Sequence, residues 1–173
     1  MKVLDNIYNE IYDYENLYNA YLNARIGKRY RKEVLEFTNN LEENLITLQN
    51  ELIWKTYQVG KYREFYIFEP KKRLIMALPF KDRVLQWAIC QKINPFFEKQ
   101  YISHSYACIQ GRGTHQAVEK LQYWLKKIHR QGKEYYCLKM DVAKYFYRID
   151  HSALMRILKR KIKDKDLLWL LET

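Results

Sequence analysis

Asp141 closes the run Tyr135–Asp141 (YYCLKMD), in which aromatic and apolar residues lead up to a single carboxylate. An aspartate at the end of a sheet strand projects from the sheet edge, where its oxygens can coordinate a hard divalent cation. The same position also suits a helix or turn cap. A second centre of charge is Lys71-Lys72-Arg73, three consecutive cations beside Pro70. On a short loop they could clamp a triphosphate or a nucleic-acid backbone, since charge-assisted bonds to phosphate are strong; alone, the cluster reads first as a solvated turn. Gly111-Arg112-Gly113 precedes Thr114. Two glycines, a guanidinium and a free helix N-terminus can grip one phosphate. The string is neither G-x-G-x-x-G nor a Walker A loop, and an ordinary glycine turn capped by Thr114 would look the same.

Other chemistries find little footing. His104, His115, His129 and His151 have no metal-ligand spacing and no nucleophile arrangement beside them. Cys90, Cys108 and Cys137 are odd in number and form no C-x-x-C, so a disulfide framework or zinc site is not expected. Buried, reduced thiols are the simpler reading.

These residues need elements to hold them. Residues 3–22 carry apolar groups at spacings of three and four, which predicts an amphipathic helix stopping near Gly27. Val34, Phe37, Leu41, Leu45, Leu48 and Leu52 predict a second helix over 29–54. Tyr62–Glu69 and Arg73–Leu78 read as two strands around the turn at Pro70-Lys71-Lys72, a hairpin with a basic tip. Asp82 can N-cap a helix through Ile93, interrupted at Asn94-Pro95. Thr114 would cap a helix to about Arg130, followed by a turn at Gln131-Gly132-Lys133. Tyr135–Asp141 reads as a strand. Asp150 or Ser152 would cap the next helix, and a short one begins near Asp166. The class is α+β, rich in helix, with a small antiparallel sheet.

Charge is distributed unevenly over the 173 residues. Residues 1–54 hold 6 basic and 9 acidic side chains, residues 55–130 hold 15 and 5, and residues 131–173 hold 10 and 6, within a net charge of +11. The basic middle also carries Tyr57, Tyr62, Tyr66, Trp87, Tyr101, Tyr106, Tyr123 and Trp124, which suits a polyanion track with stacking surfaces. A solvated basic surface over core aromatics is the plainer alternative. With 48% hydrophobic residues and few Gly or Pro, the chain is not a disordered or collagen-like sequence. No run matches a membrane span and the start lacks an apolar h-region, so no membrane partner and a cytoplasmic location are expected.

Taken in order, KKRLIMALPFKDRVLQWAI, INPFFEKQYISHSYACIQGRGTHQAVEKLQ and LKMDVAKYFYRIDHSALMRILKRKI resemble the N-terminal half of bacterial reverse transcriptases. The likeness is to the diversity-generating-retroelement type, then to group II intron enzymes, and runs from about Tyr62 to Ile162. It implies a right-hand polymerase with a helical extension at 1–56, fingers at 57–132 and the start of a palm at 133–173. The implied reaction is two-metal transfer of deoxynucleotides (dNTPs) onto a DNA primer on an RNA template, with Mg²⁺ as cofactor. Lys72 and Arg73 would reach the triphosphate. Asp141 and the Val142 carbonyl would hold metal, and Phe146 would stand under the sugar and exclude a 2′-hydroxyl. Lys71, Arg83 and Arg112 would contact template or primer. Relatives of this type often work with a small basic accessory protein.

One departure tempers that implication. The family's Tyr-x-Asp-Asp turn, which supplies further metal-binding aspartates, does not occur. The chain alone is therefore expected to lack polymerase activity and to resemble either a fingers and partial-palm piece of a longer enzyme or a naturally shortened relative. Leu167-Leu168-Trp169-Leu170-Leu171 is expected to lack partners, which points the same way. A non-enzymatic nucleic-acid-binding module with a fingers-like fold is the alternative, and a basic helical protein that binds a protein partner is a third.

Overall fold

The structure, a computed structural model, describes residues 3–132 and 134–173, so Lys133 of the expected turn lies outside the described residues. The fold is α+β: helices α1 (Tyr8–Tyr12), α2 (Tyr14–Ala24), α3 (Lys32–Asn39), α4 (Leu41–Ile53), α5 (Phe80–Glu98), α6 (Thr114–His129), α7 (His151–Lys161) and α8 (Lys165–Glu172), with strands β1 (Arg63–Ile67) and β2 (Arg73–Ala77). The chain divides into two units, residues 1–96 with 155–173 and residues 97–154. Among the described residues no helix is long and apolar enough to cross a membrane.

In the first unit, each of the two long helices expected from periodicity is broken in two. Asp13 leaves helical geometry, and its carboxylate accepts from the Asn16 N–H at 3.3 Å, so it caps α2 instead of continuing α1. Asn40 also leaves helical geometry between α3 and α4, though without a side-chain cap bond, and the Asn44 amide donates to the Phe37 carbonyl at 3.0 Å, satisfying the end of α3. The apolar stripe survives both breaks. Leu17, Ala20, Leu45, Leu48, Leu52 and Val84 are fully or almost fully buried, and Tyr21, Phe37 and Phe80 form an aromatic cluster with centroids 5.2–6.2 Å apart. Burying each of the leucines, Val84, Phe37 and Phe80 stabilises the fold by roughly 1.5–3 kcal/mol. Asn16 is one of three buried polar residues among the described residues, with Asp82 and Asp164. The Asn16 amide donates to the Ile11 and Ala88 carbonyls, tying α1 to α5.

The start of the chain and its last helix also meet in this unit. Leu4 forms a parallel bridge with Ile162, and Asp164 caps α8 while accepting from the Ile7 and Tyr8 N–H groups. Leu167 and Leu170 are buried and Trp169 meets the Tyr8 ring edge-on at 6.4 Å. The expectation of an unpartnered Leu167–Leu171 run is thus corrected: its partners come from the other end of the sequence.

Helix α5 starts at Phe80, so Asp82 lies inside its first turn and is not its cap. The Asp82 carboxylate is buried and accepts from the Tyr57 hydroxyl at 2.6 Å and the Gly60 N–H at 3.1 Å. A Cβ at Gly60 would come within 2.7 Å of Pro79 and 2.8 Å of that carboxylate, which accounts for the glycine. Pro95 sits within α5, and the helix continues only to Glu98.

The second unit is built on α6. Its cap position is Gly113, with no side-chain bond, and Thr114 is the first helical residue. The segment expected as a strand, Tyr135–Asp141, carries no ladder. A strand needs a neighbour to bond with, and no described segment pairs with it. A 3₁₀ turn at Tyr145–Arg148 follows, then α7, whose cap is Asp150, accepting from the Ser152 hydroxyl and the Ala153 N–H. The three cysteines are free thiols. Cys90 is half-buried, and Cys108 and Cys137 are exposed, which corrects the expectation of burial for those two.

Candidate nucleic-acid interface

The hairpin pairs β1 and β2 antiparallel, with Ile67 opposite Arg73, Tyr66 opposite Leu74 and Arg63 opposite Ala77. Alternation then places Arg63, Phe65, Ile67, Arg73 and Ile75 on one face and Glu64, Tyr66, Leu74 and Met76 on the other. Lys71 and Lys72 are in the connecting loop, and all three cations of the tip are exposed. The Lys72 ammonium lies over the Tyr66 ring, 4.6 Å from its centroid, and the Arg63 guanidinium lies over Phe65 at 5.4 Å. Between residues 61 and 73 five basic side chains face two acidic ones. Such a surface attracts polyanions and offers rings for stacking.

Arg83 is placed differently. It is mostly buried, pairs with Glu33 through Nη2, and stacks over the Phe80 ring at 5.3 Å. Its charge is answered inside the first unit, so a contact with a nucleic-acid backbone would require it to leave Glu33. Arg83→Ala should lower stability by about 1.5–3 kcal/mol, the range for a hydrogen bond to a charged group, as read by urea denaturation. It should leave the salt dependence of nucleic-acid binding unchanged; a shallower salt slope at unchanged stability would assign Arg83 to phosphate instead.

In the second unit Arg112 donates through Nη1 to the Ser103 and Ser105 carbonyls at 3.4 and 3.2 Å, which folds the loop before α6 onto itself. His104 meets Trp124 edge-on at 4.5 Å and anchors that loop to the helix. Between loop and helix opens a cavity of about 490 Å³, lined by Arg112, Tyr106, Lys120 and Tyr123 among others. Sequence reasoning singled out Arg112 and the rings, but not Lys120; the signal for it was the helical spacing of Gln116, Lys120 and Tyr123.

Asp141, Val142 and Phe146 share an exposed segment of this same unit, with Phe146 in the 3₁₀ turn and its ring 82% exposed. The Asp141 carboxylate and the Val142 carbonyl are hard oxygen donors, the right type for Mg²⁺. They are an incomplete set: among the described residues no group of three His, Cys, Asp or Glu side chains converges. The tip cations and Arg83 belong to the first unit, whereas Arg112, Asp141, Val142 and Phe146 belong to the second.

Residues 63–171 match the sequence model of a family described as reverse transcriptase (RNA-dependent DNA polymerase). Protein YkfC of Escherichia coli (strain K12) is 27% identical over 134 residues, covering 76% of this chain and 35% of that protein. Nuclear intron maturase 2, mitochondrial, of Arabidopsis thaliana is 25% identical over 148 residues, covering 76% of this chain and 19% of its own length. Nuclear intron maturase 1, mitochondrial, of the same plant is 27% identical over 157 residues, covering 78% and 21%. The chain therefore spans about a third or less of the length of these curated relatives.

Proposed function

The chain belongs to the reverse transcriptase (RNA-dependent DNA polymerase) family, and from that premise we propose that it supplies the fingers and first palm segment of an enzyme that extends a DNA primer on an RNA template. The observation that carries this reading is the family match over residues 63–171, which takes in the basic hairpin, Arg112 and Asp141 together. In that division residues 57–132 are the fingers, residues 133–173 open the palm, and residues 1–56 are a helical extension.

Primer extension joins a 3′-oxygen to the α-phosphorus of a nucleoside triphosphate and releases pyrophosphate. Little of this needs covalent chemistry from the protein; positioning and charge neutralisation carry it. Lys72 and Arg73 neutralise the triphosphate, the planar fork of Arg73 taking two oxygens at once. Asp141 and the Val142 carbonyl are the residues that would hold a divalent ion, which when bound stabilises charge on the transferring phosphoryl group. Phe146 sets its ring beneath the sugar, where a 2′-hydroxyl would clash. Lys71 and Arg112 contact template or primer backbone.

One carboxylate and one carbonyl do not by themselves hold two ions. The 173-residue chain is accordingly expected to bind primer–template without extending the primer. Affinity for an RNA template annealed to a DNA primer should fall steeply as salt rises, because each neutralised phosphate releases counterions. Affinity that is flat with salt counts against the reading, and a protein-binding role would replace it. Incorporation of labelled dNTP by this chain with Mg²⁺ or Mn²⁺ would overturn the expected inactivity but strengthen the assignment to a polymerase. In a catalytically active enzyme carrying this hairpin, Arg73→Ala should raise the dNTP KM by about tenfold or more, in line with 1.5–3 kcal/mol for charged hydrogen bonds. An unchanged steady-state profile would remove Arg73 from the triphosphate.

A further inference from the structure

The open pocket between the loop at 103–112 and helix α6 shares Arg112 with the backbone contacts proposed above, while its other lining residues have no role in them. Gln116, Glu119, Lys120 and Tyr123 recur at helical spacing along the face of α6 that lines it, with Tyr106 and Arg112 contributed by the loop. Rings, cations and amide or carboxylate groups thus meet around one opening. The pocket, about 490 Å³, is open to solvent and most of its lining residues are exposed, so it suits one group laid in from solution rather than an enclosed ligand.

Two cations line this pocket, Arg112 from the loop and Lys120 from the helix. The Lys120 ammonium rests over both the Tyr123 ring, at 5.3 Å, and the Trp124 ring, at 5.8 Å, so its stem is held against aromatic surface. Arg112 uses one nitrogen to bind two backbone carbonyls, while a guanidinium has five N–H donors. The remaining donors are free to take phosphate oxygens in a fork. His104 against Trp124 fixes the loop wall relative to the helix wall.

We propose that this cavity seats one unpaired nucleotide of an RNA strand, with the base against Tyr106 and Tyr123, its flanking phosphate on Arg112 and Lys120, and its edge facing Gln116 and Glu119. The inference rests on the nucleic-acid reading above and deepens it from backbone contact to recognition of a base. An unpaired nucleotide is the fitting form, because a base must leave its stack before rings can cover its face. Glu119 favours a base with an exocyclic amine, which donates to a carboxylate, over uracil, which presents a carbonyl there.

The test uses the whole chain and a short fluorescein-labelled single-stranded RNA, with either a central cytidine or an abasic site at that position, read by anisotropy. The expected result is about tenfold tighter binding of the cytidine RNA, the scale of one base–aromatic stack. Tyr123→Ala should erase that preference and leave the abasic affinity alone, and Tyr123→Phe should keep it. Lys120→Ala should weaken both RNAs equally and lower the salt slope by about one. Since Tyr123 is more than half exposed, its replacement spares the core, and Tyr106→Ala gives an independent second ring variant. Competition with cytidine monophosphate separates the sources. Loss of the cytidine preference in its presence would support the cavity as a nucleotide site filled from solution, and no competition would support the strand. Equal binding of the two RNAs by the unmodified chain, or a preference that survives both ring variants, would overturn the proposal. Failure to bind either RNA at any salt concentration would instead overturn the nucleic-acid reading beneath it.

Discussion

Asp164→Ala lowers the unfolding free energy of the first unit by about 3 kcal/mol, enough to bring its thermal midpoint down by many degrees. The carboxylate is buried and accepts four backbone N–H groups: Ile7 and Tyr8 at 2.8 and 2.9 Å on one oxygen, Asp166 and Leu167 at 3.0 Å on the other. One oxygen therefore closes the start of α8 and the other secures the entry to α1. Each lost helix cap costs roughly 0.5–2 kcal/mol, and buried donors left unpaired add to that. Burial works to raise the Asp164 pKa, yet the N–H groups of Leu167, Tyr8, Ile7 and Asp166 outweigh it and hold it below the ordinary carboxylate value. A lowered folded pKa means that the stabilisation is fully present above the unfolded value of about 4 and is lost as pH falls through the depressed folded one. Melts followed by circular dichroism should show the unmodified chain losing stability over that acid range. Asp164→Asn should be weaker at neutral pH and flatter with acid, because its amide keeps one acceptor and has no proton to gain. Identical melts for chain and variant at neutral pH would show that the two helix ends do not depend on this carboxylate.

Asp164 also shows why part of the fold could not be read from sequence. Two of its four partners lie more than 150 positions away along the chain, and nothing local marks them. The hairpin was legible because its evidence is local: aromatic and branched residues flank a turn rich in Pro and Lys, and β1 and β2 fall inside the stretches expected. Helical periodicity located the core positions Leu45, Leu48 and Leu52 but passed over the breaks at Asp13 and Asn40, since the apolar stripe continues in phase on either side. Tyr135–Asp141 has the composition of a strand, but pairing is a property of two segments, and one segment's composition does not supply the other. The candidate site divides in the same way. Exposed cations such as Lys72 and Arg73 can be nominated from charge alone, whereas the pairing of Arg83 with Glu33 spans 50 positions. The cavity needs a helix face and a loop at once, so only Arg112 of its cations stood out beforehand.

Asp141→Asn should reduce nucleotide incorporation by about 10²–10³-fold or more in an active enzyme carrying this segment, the scale seen when one preorganised electrostatic group is removed from a transition state. The same change should leave the thermal midpoint of this chain untouched. Asp141 is exposed, and no hydrogen bond or ion pair to another described residue holds its carboxylate, so its charge contributes little to folding. Asparagine keeps the shape and one oxygen but loses the negative charge that a hard divalent ion requires. Asp150, only nine positions along, provides the contrast. Its carboxylate accepts from the Ser152 hydroxyl and the Ala153 N–H at the start of α7, and the Ser152 hydroxyl first, then the Ala153 N–H, draws its pKa down. Asp150→Asn should therefore disturb the helix start and spare incorporation once the protein is folded. The two variants make opposite predictions for the same pair of measurements, a melt and a primer-extension rate. If Asp141→Asn lowered the melting temperature and left extension unchanged, Asp141 would be a structural turn residue, and the polymerase site would have to be sought on other carboxylates.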